Sequence, residues 1–390
     1  MQTKILKRAW NWAARRSMMA SAAALCCLAP AAQAEIRFSI PQADANAVTK
    51  AIAKNIAYLN ENSDMEIKQY GEALLKQSEV AGGLRDGIVG IGFVVTAYLP
   101  AEYSEMNLMA NLSMLATSGT PAKSPGAAAT GAMMEYVLLN CPECLAQFKA
   151  QRQVFLSPGS TNPYDLLCEG SVTTLEELKG KKIRSGAANF GRWAESVGAT
   201  TVSIPSGDVF DAMSQGVLDC NMLSTADIVS NGLLDVVDTA LLGVPGGVYS
   251  GFASNTVNID TWMSLSEENR KLLFNTSPVL AADINVEQHN NLAQATKAAT
   301  EAGITINEIG EDLRQHTADF VQADLAIIAE QFKSQYGVSD VDRKIELAAS
   351  LIEKWKGLTN EIDLMDRDGY AALYQQEIYS KIDPATYGMD

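Results

Sequence analysis

Arg184 stands where a side chain can bind an anion. It ends a short strand pattern, a turn follows it, and a helical pattern over residues 188–197 comes next. In open α/β sheets, ligands bind beyond the carboxyl ends of strands, where the next helix presents unpaired N–H groups and the positive end of its dipole. A guanidinium adds a two-pronged donor that fits a carboxylate. The pattern predicts a carboxylate site, with an ordinary ion pair to Glu195 or Asp219 as the alternative.

Patterns typical of catalysis are missing from the sequence. It has two histidines, no HExxH, no P-loop and no GxGxxG after the first strand. The glycines of residues 87–92 lie inside an apolar strand pattern, which indicates close packing. Asp208 and Asp211 are paired acids, but Ser206 before them is typical of a helix N-cap with acids in the first turn. We therefore predict no catalytic residue, no bound metal and no cofactor.

The elements around Arg184 follow an α/β order. Strand patterns over residues 35–40, 65–70 and 88–95 alternate with helical patterns over 46–60 and 79–85, which predicts the start of a parallel sheet. The next stretch predicts a loop (118–128), one long helix (129–150), a strand (153–156) and a turn (157–160). The α/β pattern restarts at Tyr164 and runs to about residue 244, and a long strand pattern over 248–258 is suited to cross between the two units. Four helical patterns follow, over 267–275, 281–302, 311–336 and 340–357. This order predicts two α/β lobes, with one large α/β domain as the alternative.

The first residues indicate export. Five basic residues precede an apolar run over residues 18–28, and Ala32-Gln33-Ala34 follows. This predicts a signal peptide over residues 1–34, cut before Glu35. A membrane anchor is the alternative, but the run is shorter than the roughly 20 residues that span a bilayer. The Arg15-Arg16 pair leaves twin-arginine export open beside the Sec route, and Leu25 before the Cys26-Cys27 pair is unlike a lipoprotein site.

The net charge excludes some partners. Removal of residues 1–34 takes away five positive charges and no acid, so the formal charge falls from −16 to −21. Nucleic acid and anionic lipid are therefore not expected partners. We expect a periplasmic protein without stable membrane insertion.

Four cysteines remain after the predicted cleavage: Cys141, Cys144, Cys168 and Cys220. An even number in an oxidising compartment favours disulfides. Cys168 and Cys220 each close a strand pattern, so neighbouring strands of one sheet would bring them together. We predict a Cys168–Cys220 bridge and a Cys141–Cys144 bridge. A redox motif or half of a zinc site is the alternative for the second pair.

Several spaced motifs resemble one known family. They are LEELKGKKIR (175–184), VGA (197–199), PSGDVF (205–210), AM (212–213) and GVLD (216–219). This order is similar to the core signature of the DctP-like solute-binding proteins of TRAP transporters. Residues 84–88 and 258–268 resemble further parts of that family. The resemblance implies a periplasmic-binding-protein-like fold with two lobes, hinge strands and a long bridging helix, and it aligns Arg184 with the family arginine that binds the ligand carboxylate.

The chain departs from the family pattern at positions near the expected site. Gly90 stands in place of an aspartate, Cys220 in place of a glycine, and Leu223 in place of an asparagine that contacts ligand in many members. Tyr164 stands where the sialic-acid-binding branch has a second arginine. A second carboxylate on the ligand would be buried without a partner, which is costly. We therefore expect a monocarboxylate to be preferred over C4-dicarboxylates, unless Arg192 supplies the missing charge.

The resemblance also implies an organisation and a set of site residues. We expect lobe I over residues 35–160 and 249–285, lobe II over 161–248 and 286–365, and a C-terminal extension over 366–390. The expected ligand-binding residues are Arg184, Tyr164, Trp193, Ser206, Leu223, Tyr249, Gln42, Gln77, Phe93 and Tyr98.

The expected function is capture of a small organic acid by lobe closure and its delivery to TRAP membrane permease subunits. A secreted hydrolase-like enzyme and a ligand-presenting sensor are the alternatives.

Overall fold

The structure, a computed structural model, describes residues 35–389. The predicted signal peptide and the Cys26-Cys27 pair lie outside the described residues. No helix in the described part of the chain is both long enough and apolar enough to cross a membrane.

The first sheet has five strands. In chain order they are β1 (Ile36–Ser39), β2 (Ile67–Tyr70), β3 (Ile91–Val94), β4 (Gln153–Gly159) and β10 (Phe252–Asn258). Their order across the sheet is β2-β1-β3-β10-β4. β1 pairs in parallel with β2 and β3, as the alternating strand and helix patterns predict, whereas β10 runs antiparallel between β3 and β4. β10 thus returns to the first sheet from the second.

The second sheet has six strands. They are β5 (Asp165–Cys168), β6 (Lys182–Ser185), β7 (Thr200–Ser203), β8 (Cys220–Leu223), β9 (Thr239–Leu242) and β11 (Thr305–Glu308), in the order β11-β9-β5-β8-β6-β7. β6 ends one residue after Arg184 and is flanked by β7 and β8.

The sheet also explains one of the two disulfides. β5 and β8 are antiparallel with Cys168 opposite Cys220, and their Cα atoms lie 4.0 Å apart. The structure forms this disulfide and the Cys141–Cys144 disulfide.

The described part of the chain contains twelve α-helices. They are α1 (Ala47–Asn62), α2 (Val80–Arg85), α3 (Ser104–Asn111), α4 (Pro125–Glu135), α5 (Pro142–Ala150), α6 (Ala188–Ser196), α7 (Val209–Ser214), α8 (Ile259–Ser264), α9 (Glu267–Glu301), α10 (Glu311–Ser334), α11 (Val341–Asn360) and α12 (Arg367–Glu377). The 35 residues of α9 extend about 52 Å at 1.5 Å per residue. This helix bonds to α1 through Lys54–Glu287 and packs on the turn after β8 and on β11, so it bridges the two sheets.

The chain passes between the sheets through two short strand-like segments as well as through α9. Residues 160–164 lead from β4 to β5, and residues 243–251 lead from β9 to β10. The two segments are joined, because Thr161 N–H donates to the Tyr249 carbonyl and Tyr164 N–H donates to the Gly247 carbonyl. The two-lobed fold with hinge strands and a long bridging helix, expected from the resemblance, is therefore what the structure shows.

The C-terminal residues are built into the first half of the molecule. Trp355 of α11 donates its indole N–H to Glu135 of α4, over 2.7 Å. The Tyr374 hydroxyl donates to the Ala127 carbonyl, and the Tyr379 hydroxyl donates to the Leu156 carbonyl in β4, an edge strand of the first sheet. The lobe boundaries stay a prediction, and these contacts favour grouping α11 and α12 with lobe I.

Four predicted elements, in three parts of the chain, were wrong. The predicted single helix over 129–150 begins earlier, at Pro125, and is broken at Cys141, because Pro142 starts α5 and the Cys141 sulfur accepts the Cys144 N–H. The predicted turn after residue 156 is strand, because β4 keeps pairing with β10 as far as Gly159. The two helices predicted over 267–302 are one helix that passes through Pro278.

Candidate functional site

A cavity of about 470 Å³ lies between the two sheets at the carboxyl end of β6. Gln42, Gln77, Phe93 and Tyr98 line it from the first lobe. Tyr164, Arg184, Ser206, Leu223 and Tyr249 line it from the second lobe and the crossing segments. The structure thus brings together nine of the ten residues expected to bind ligand.

Arg184 is held rigidly beside this cavity although its side chain carries a charge. The residue is 1% exposed. Its Nε donates to the Ile204 carbonyl over 3.0 Å, and its Nη1 donates to the Met222 carbonyl over 3.4 Å. These carbonyls belong to the segments that follow β7 and end β8, the two strands beside β6. The sheet therefore fixes the orientation of the guanidinium and leaves others of its five N–H donors for a ligand.

The Arg184 guanidinium has no carboxylate partner in the described part of the chain. The two acids considered as alternatives are engaged elsewhere, since Asp219 accepts the Lys182 N–H over 2.7 Å and Glu195 is exposed on α6. An arginine is seldom fully buried without a paired anion, because desolvation of the charge is costly. The arrangement leaves the guanidinium able to bind an anion from outside the chain.

Aromatic rings form a continuous row along one wall. Ring centroids are 4.7 Å apart for Phe190–Tyr164, 5.9 Å for Tyr164–Tyr249, 6.3 Å for Tyr249–Phe252 and 5.1 Å for Phe252–Phe93. Burial raises the pKa of the Tyr164 and Tyr249 hydroxyls well above the usual range, so both stay neutral. The Tyr249 hydroxyl donates to the Gly186 carbonyl over 3.2 Å. Phe190 does not line the cavity. The Tyr164, Tyr249 and Phe252 rings do, and neighbouring rings among them are within 17° of parallel, so they give the cavity a flat aromatic surface; the Phe93 ring also lines it but is tilted by 43° from Phe252.

The remaining charged groups of the cavity are acidic. Asp44 and Glu72 are exposed at its edge, and Asp227 lies inside, 5% exposed. Arg184 is the only basic side chain among the described residues that line it. Burial raises the pKa of the Asp227 carboxyl to about 7, and the Arg184 guanidinium offsets part of that rise.

One side-chain contact closes the cavity between the lobes. The Ser206 hydroxyl donates to Oε1 of Gln77 over 3.4 Å. This corrects the role expected for Ser206, because α7 begins at Val209 and no side chain caps it. Ser206 and Gln77 therefore mark where the two lobes meet over the site.

Trp193 does not line the cavity, which corrects the expectation that it binds ligand. It is fully buried on the face of α6 that packs on α10, and its indole N–H donates to the Thr317 hydroxyl over 3.0 Å. Arg192 lies on the same side of the lobe and binds both carboxylate oxygens of Asp324, at 2.6 and 2.8 Å. Arg192 therefore does not supply a second positive charge to the cavity.

Comparisons with known proteins agree with this geometry. Residues 164–335 match the family described as bacterial extracellular solute-binding protein, family 7. This stretch of the chain is therefore similar to that family. It is 24% identical over 203 residues to a solute-binding protein of Albidiferax ferrireducens, and the match covers 52% of this chain and 57% of that relative. The chain thus spans little more than half the length of that relative.

Solved structures share the fold of this chain. A TRAP solute-binding protein from Rhodoferax ferrireducens, in complex with copurified benzoate, is 19% identical with a TM-score of 0.72, covering 84% of this chain and all (100%) of that one. A marine metagenome TRAP solute-binding protein specific for aromatic acid ligands, in complex with 3-hydroxybenzoate, is 22% identical with a TM-score of 0.70. That alignment covers 83% of this chain and 99% of that one.

The structure places further residues in the cavity that the sequence did not single out. Asp227, Asn231, Phe252 and Gln288 line it. Phe252 lies within the long strand pattern that was expected to cross between the lobes, close in sequence to Tyr249. That position could have identified it as a residue of the cavity. Asp227 and Gln288 had no such signal, because they lie in a short turn and inside a long helix.

Gly186 is required for the position of the guanidinium, and its replacement tests this. A Cβ at this residue would lie 3.0 Å from Nη2 of Arg184 and 3.2 Å from Cζ. We expect Gly186→Ala to displace the guanidinium and to weaken carboxylate binding about tenfold or more, with little loss of folding stability. Titration calorimetry and thermal unfolding of the variant measure the two effects. Gly71→Ala, at a glycine with no neighbour within 4 Å, is the matched control. Unchanged affinity of the Gly186 variant would contradict the expectation.

Proposed function

We propose that this chain is a periplasmic receptor that captures an organic monocarboxylate between its lobes and delivers it to a TRAP-type membrane permease, without changing it chemically. The observation that carries the proposal is the buried Arg184 guanidinium, which is oriented by two carbonyls and has no carboxylate partner among residues 35–389. Charge-assisted bonds from a desolvated guanidinium to a carboxylate are strong and selective. The family match and the shared fold support a binding role rather than catalysis.

The charges around the cavity favour one carboxylate over two. Among residues 35–389, Arg184 is the only basic group of its lining, and Asp44, Glu72 and Asp227 are acidic. A second carboxylate would meet like charges without a cation to offset them, which costs several kcal/mol in a site of low dielectric. Because Asp324 engages Arg192, that alternative source of charge is removed.

The aromatic row favours a flat apolar body on the ligand. Tyr164, Tyr249 and Phe252 present neighbouring rings beside Arg184. Ring stacking adds about 0.5–1.5 kcal/mol beyond the burial of apolar area. We therefore propose an aromatic monocarboxylate as the preferred ligand. The aromatic acids bound by two proteins of the same fold support this choice.

Capture requires that ligand binding favour the closed arrangement of the lobes. Ser206 and Gln77 meet across the cavity, and the crossing segments leave two points where the backbone can bend. A ligand held by Arg184 in one lobe and by the rings near Phe93 in the other makes more contacts when the lobes are closed. That difference in contacts shifts the population of conformations towards the closed arrangement.

A thermal-shift screen on residues 35–390 tests the proposal. We expect benzoate-like monocarboxylates to raise the melting temperature, since ligand at about a hundred times its dissociation constant adds about 2.7 kcal/mol of stability. Succinate, malate and fumarate should raise it less. Calorimetry should show one site per chain, and the ligand should be recovered unchanged. A C4-dicarboxylate that binds more tightly than every monocarboxylate tested would contradict the proposed ligand class.

A further inference from the structure

Asp227 occupies an unusual position for a carboxylic acid. It ends a short 3-10 turn, Thr225–Asp227, that follows β8 and packs on the long helix α9. Its carbonyl accepts hydrogen bonds from the side chains of Ser230 and Asn231, which fixes the turn. The residue is 5% exposed and its side chain lines the cavity that holds Arg184.

The Asp227 carboxyl has no partner within the described residues. No side chain or backbone N–H donates to it, and Arg184 lies too far away for an ion pair although it acts on the carboxyl electrostatically. A buried carboxylate without donors loses several kcal/mol of hydration unless it is neutralised or hydrogen-bonded. Among the described residues, the cavity thus holds one buried cation and one buried acid that each lack an ion-pair partner.

The other titratable groups around Asp227 do not satisfy it. Burial keeps the Tyr164 and Tyr249 hydroxyls neutral, and that of Tyr249 donates to Gly186. On α9, Gln288 lines the cavity and the next residue, His289, is bonded to Ser124 with a pKa lowered by burial. The remaining titratable groups of the lining are Tyr98 and the edge acids Asp44 and Glu72.

We infer that Asp227 is a second recognition residue, which accepts a hydrogen bond from a hydroxyl or amino substituent of the aromatic acid held by Arg184. The inference rests on the proposed function and specifies it further. The ligand carboxylate pairs with Arg184, the ring lies along the aromatic row, and the substituent reaches Asp227. The same carboxyl repels a second carboxylate on the ring.

Matched ligands test the inference. Titration calorimetry is carried out with benzoate, with its 2-, 3- and 4-hydroxy and amino derivatives, and with the corresponding benzene dicarboxylates. We expect at least one hydroxy or amino derivative to bind about tenfold or more tightly than benzoate, because hydrogen bonds to charged groups are among the stronger ones. Every benzene dicarboxylate should bind more weakly than benzoate.

Variants assign the preference to Asp227. Asp227→Leu should bring the affinity ratio of the preferred derivative to benzoate close to one and keep benzoate binding. Asp227→Asn retains the shape of the side chain. It should lower the affinity ratio of the preferred derivative to benzoate and improve the binding of the dicarboxylates. Glu195→Gln removes an exposed acid of the same lobe outside the cavity and should leave the ratio unchanged. Thermal unfolding shows whether each variant is folded. If the leucine variant does not fold, the affinity ratio of the asparagine variant decides the test.

The pH dependence gives a second readout. A donor ligand favours the ionised carboxyl, so its binding should release a proton at about pH 6, and its affinity should rise as pH increases through about 7. Asp227→Asn should lose both effects. Calorimetry at about pH 6 in two buffers that differ in ionisation enthalpy measures the proton count.

The outcomes separate this inference from the proposed function. If benzoate binds through Arg184 but no hydroxy or amino derivative binds more tightly, or if the preference persists in both Asp227 variants, the inference is overturned and the proposed function stands. If no acid binds at all, both are overturned.

Discussion

Arg184→Ala should abolish binding of the carboxylate ligand at ordinary concentrations. The guanidinium is buried, is oriented by carbonyls of two neighbouring segments and has no competing acid among the described residues, so the ligand carboxylate would lose its only positive partner there. Loss of one partner from a buried charge pair costs about 2–5 kcal/mol, or roughly 30-fold to several thousand-fold in affinity. Titration calorimetry with the best monocarboxylate from the thermal-shift screen measures the change.

Two further substitutions make this test specific. Arg184→Lys keeps the charge but loses the two-pronged geometry, so its affinity should fall between those of the wild type and the alanine variant. Arg85→Ala removes a half-exposed arginine paired with Asp86 and should leave affinity unchanged. Near-wild-type affinity of Arg184→Ala, in a variant that unfolds cooperatively, would remove Arg184 from the site.

Removal of the Cys168–Cys220 disulfide should give the largest loss of stability of any change considered. The bridge joins residues 52 apart in the sequence, and both cysteines are fully buried in the second sheet. The chain-entropy estimate for a loop of this length is about 4 kcal/mol. Chemical denaturation of the Cys168→Ala/Cys220→Ala double variant measures the free energy of unfolding.

The second disulfide is the internal comparison. Cys141 and Cys144 are three residues apart, so the same estimate gives about 1–2 kcal/mol for Cys141→Ala/Cys144→Ala. Peptide mapping without reduction should recover both bridged peptides from the wild type. Free thiols at Cys168 and Cys220, or a larger loss of stability from the Cys141–Cys144 pair, would contradict the expectation.

The site was predictable where its signal is local. Arg184 ends a strand pattern just before a turn and a helical pattern, and these neighbours alone indicate an anion site. The pairing of Cys168 with Cys220 was predicted correctly, but Cys220 begins β8 and does not close a strand. The two cysteines meet because β5 and β8 are antiparallel, so the end of one strand lies opposite the start of the other. Strand and helix periodicity likewise predicted most elements of both sheets.

The rest of the site depends on packing between distant segments. Trp193 and Arg192 lie in the helix after Arg184, but the pattern of α6 does not reveal that α10 covers that face. Asp227 gives no periodic signal in its turn, and only the fold brings it opposite Arg184. The continuation of β4 through Pro158 was hidden because proline and glycine favour turns, whereas pairing with β10 outweighs that preference here.

The position of β10 constrains the order in which the chain can complete its fold. β3 and β4 lie on either side of β10, so the first sheet cannot join them until the chain has been made as far as Asn258. The second sheet in turn lacks its outer strand β11 until Glu308 is present. Because such long-range pairing is slow, the nascent chain stays incompletely folded through much of its synthesis. An unfinished chain of this kind is suited to threading through a membrane before it folds.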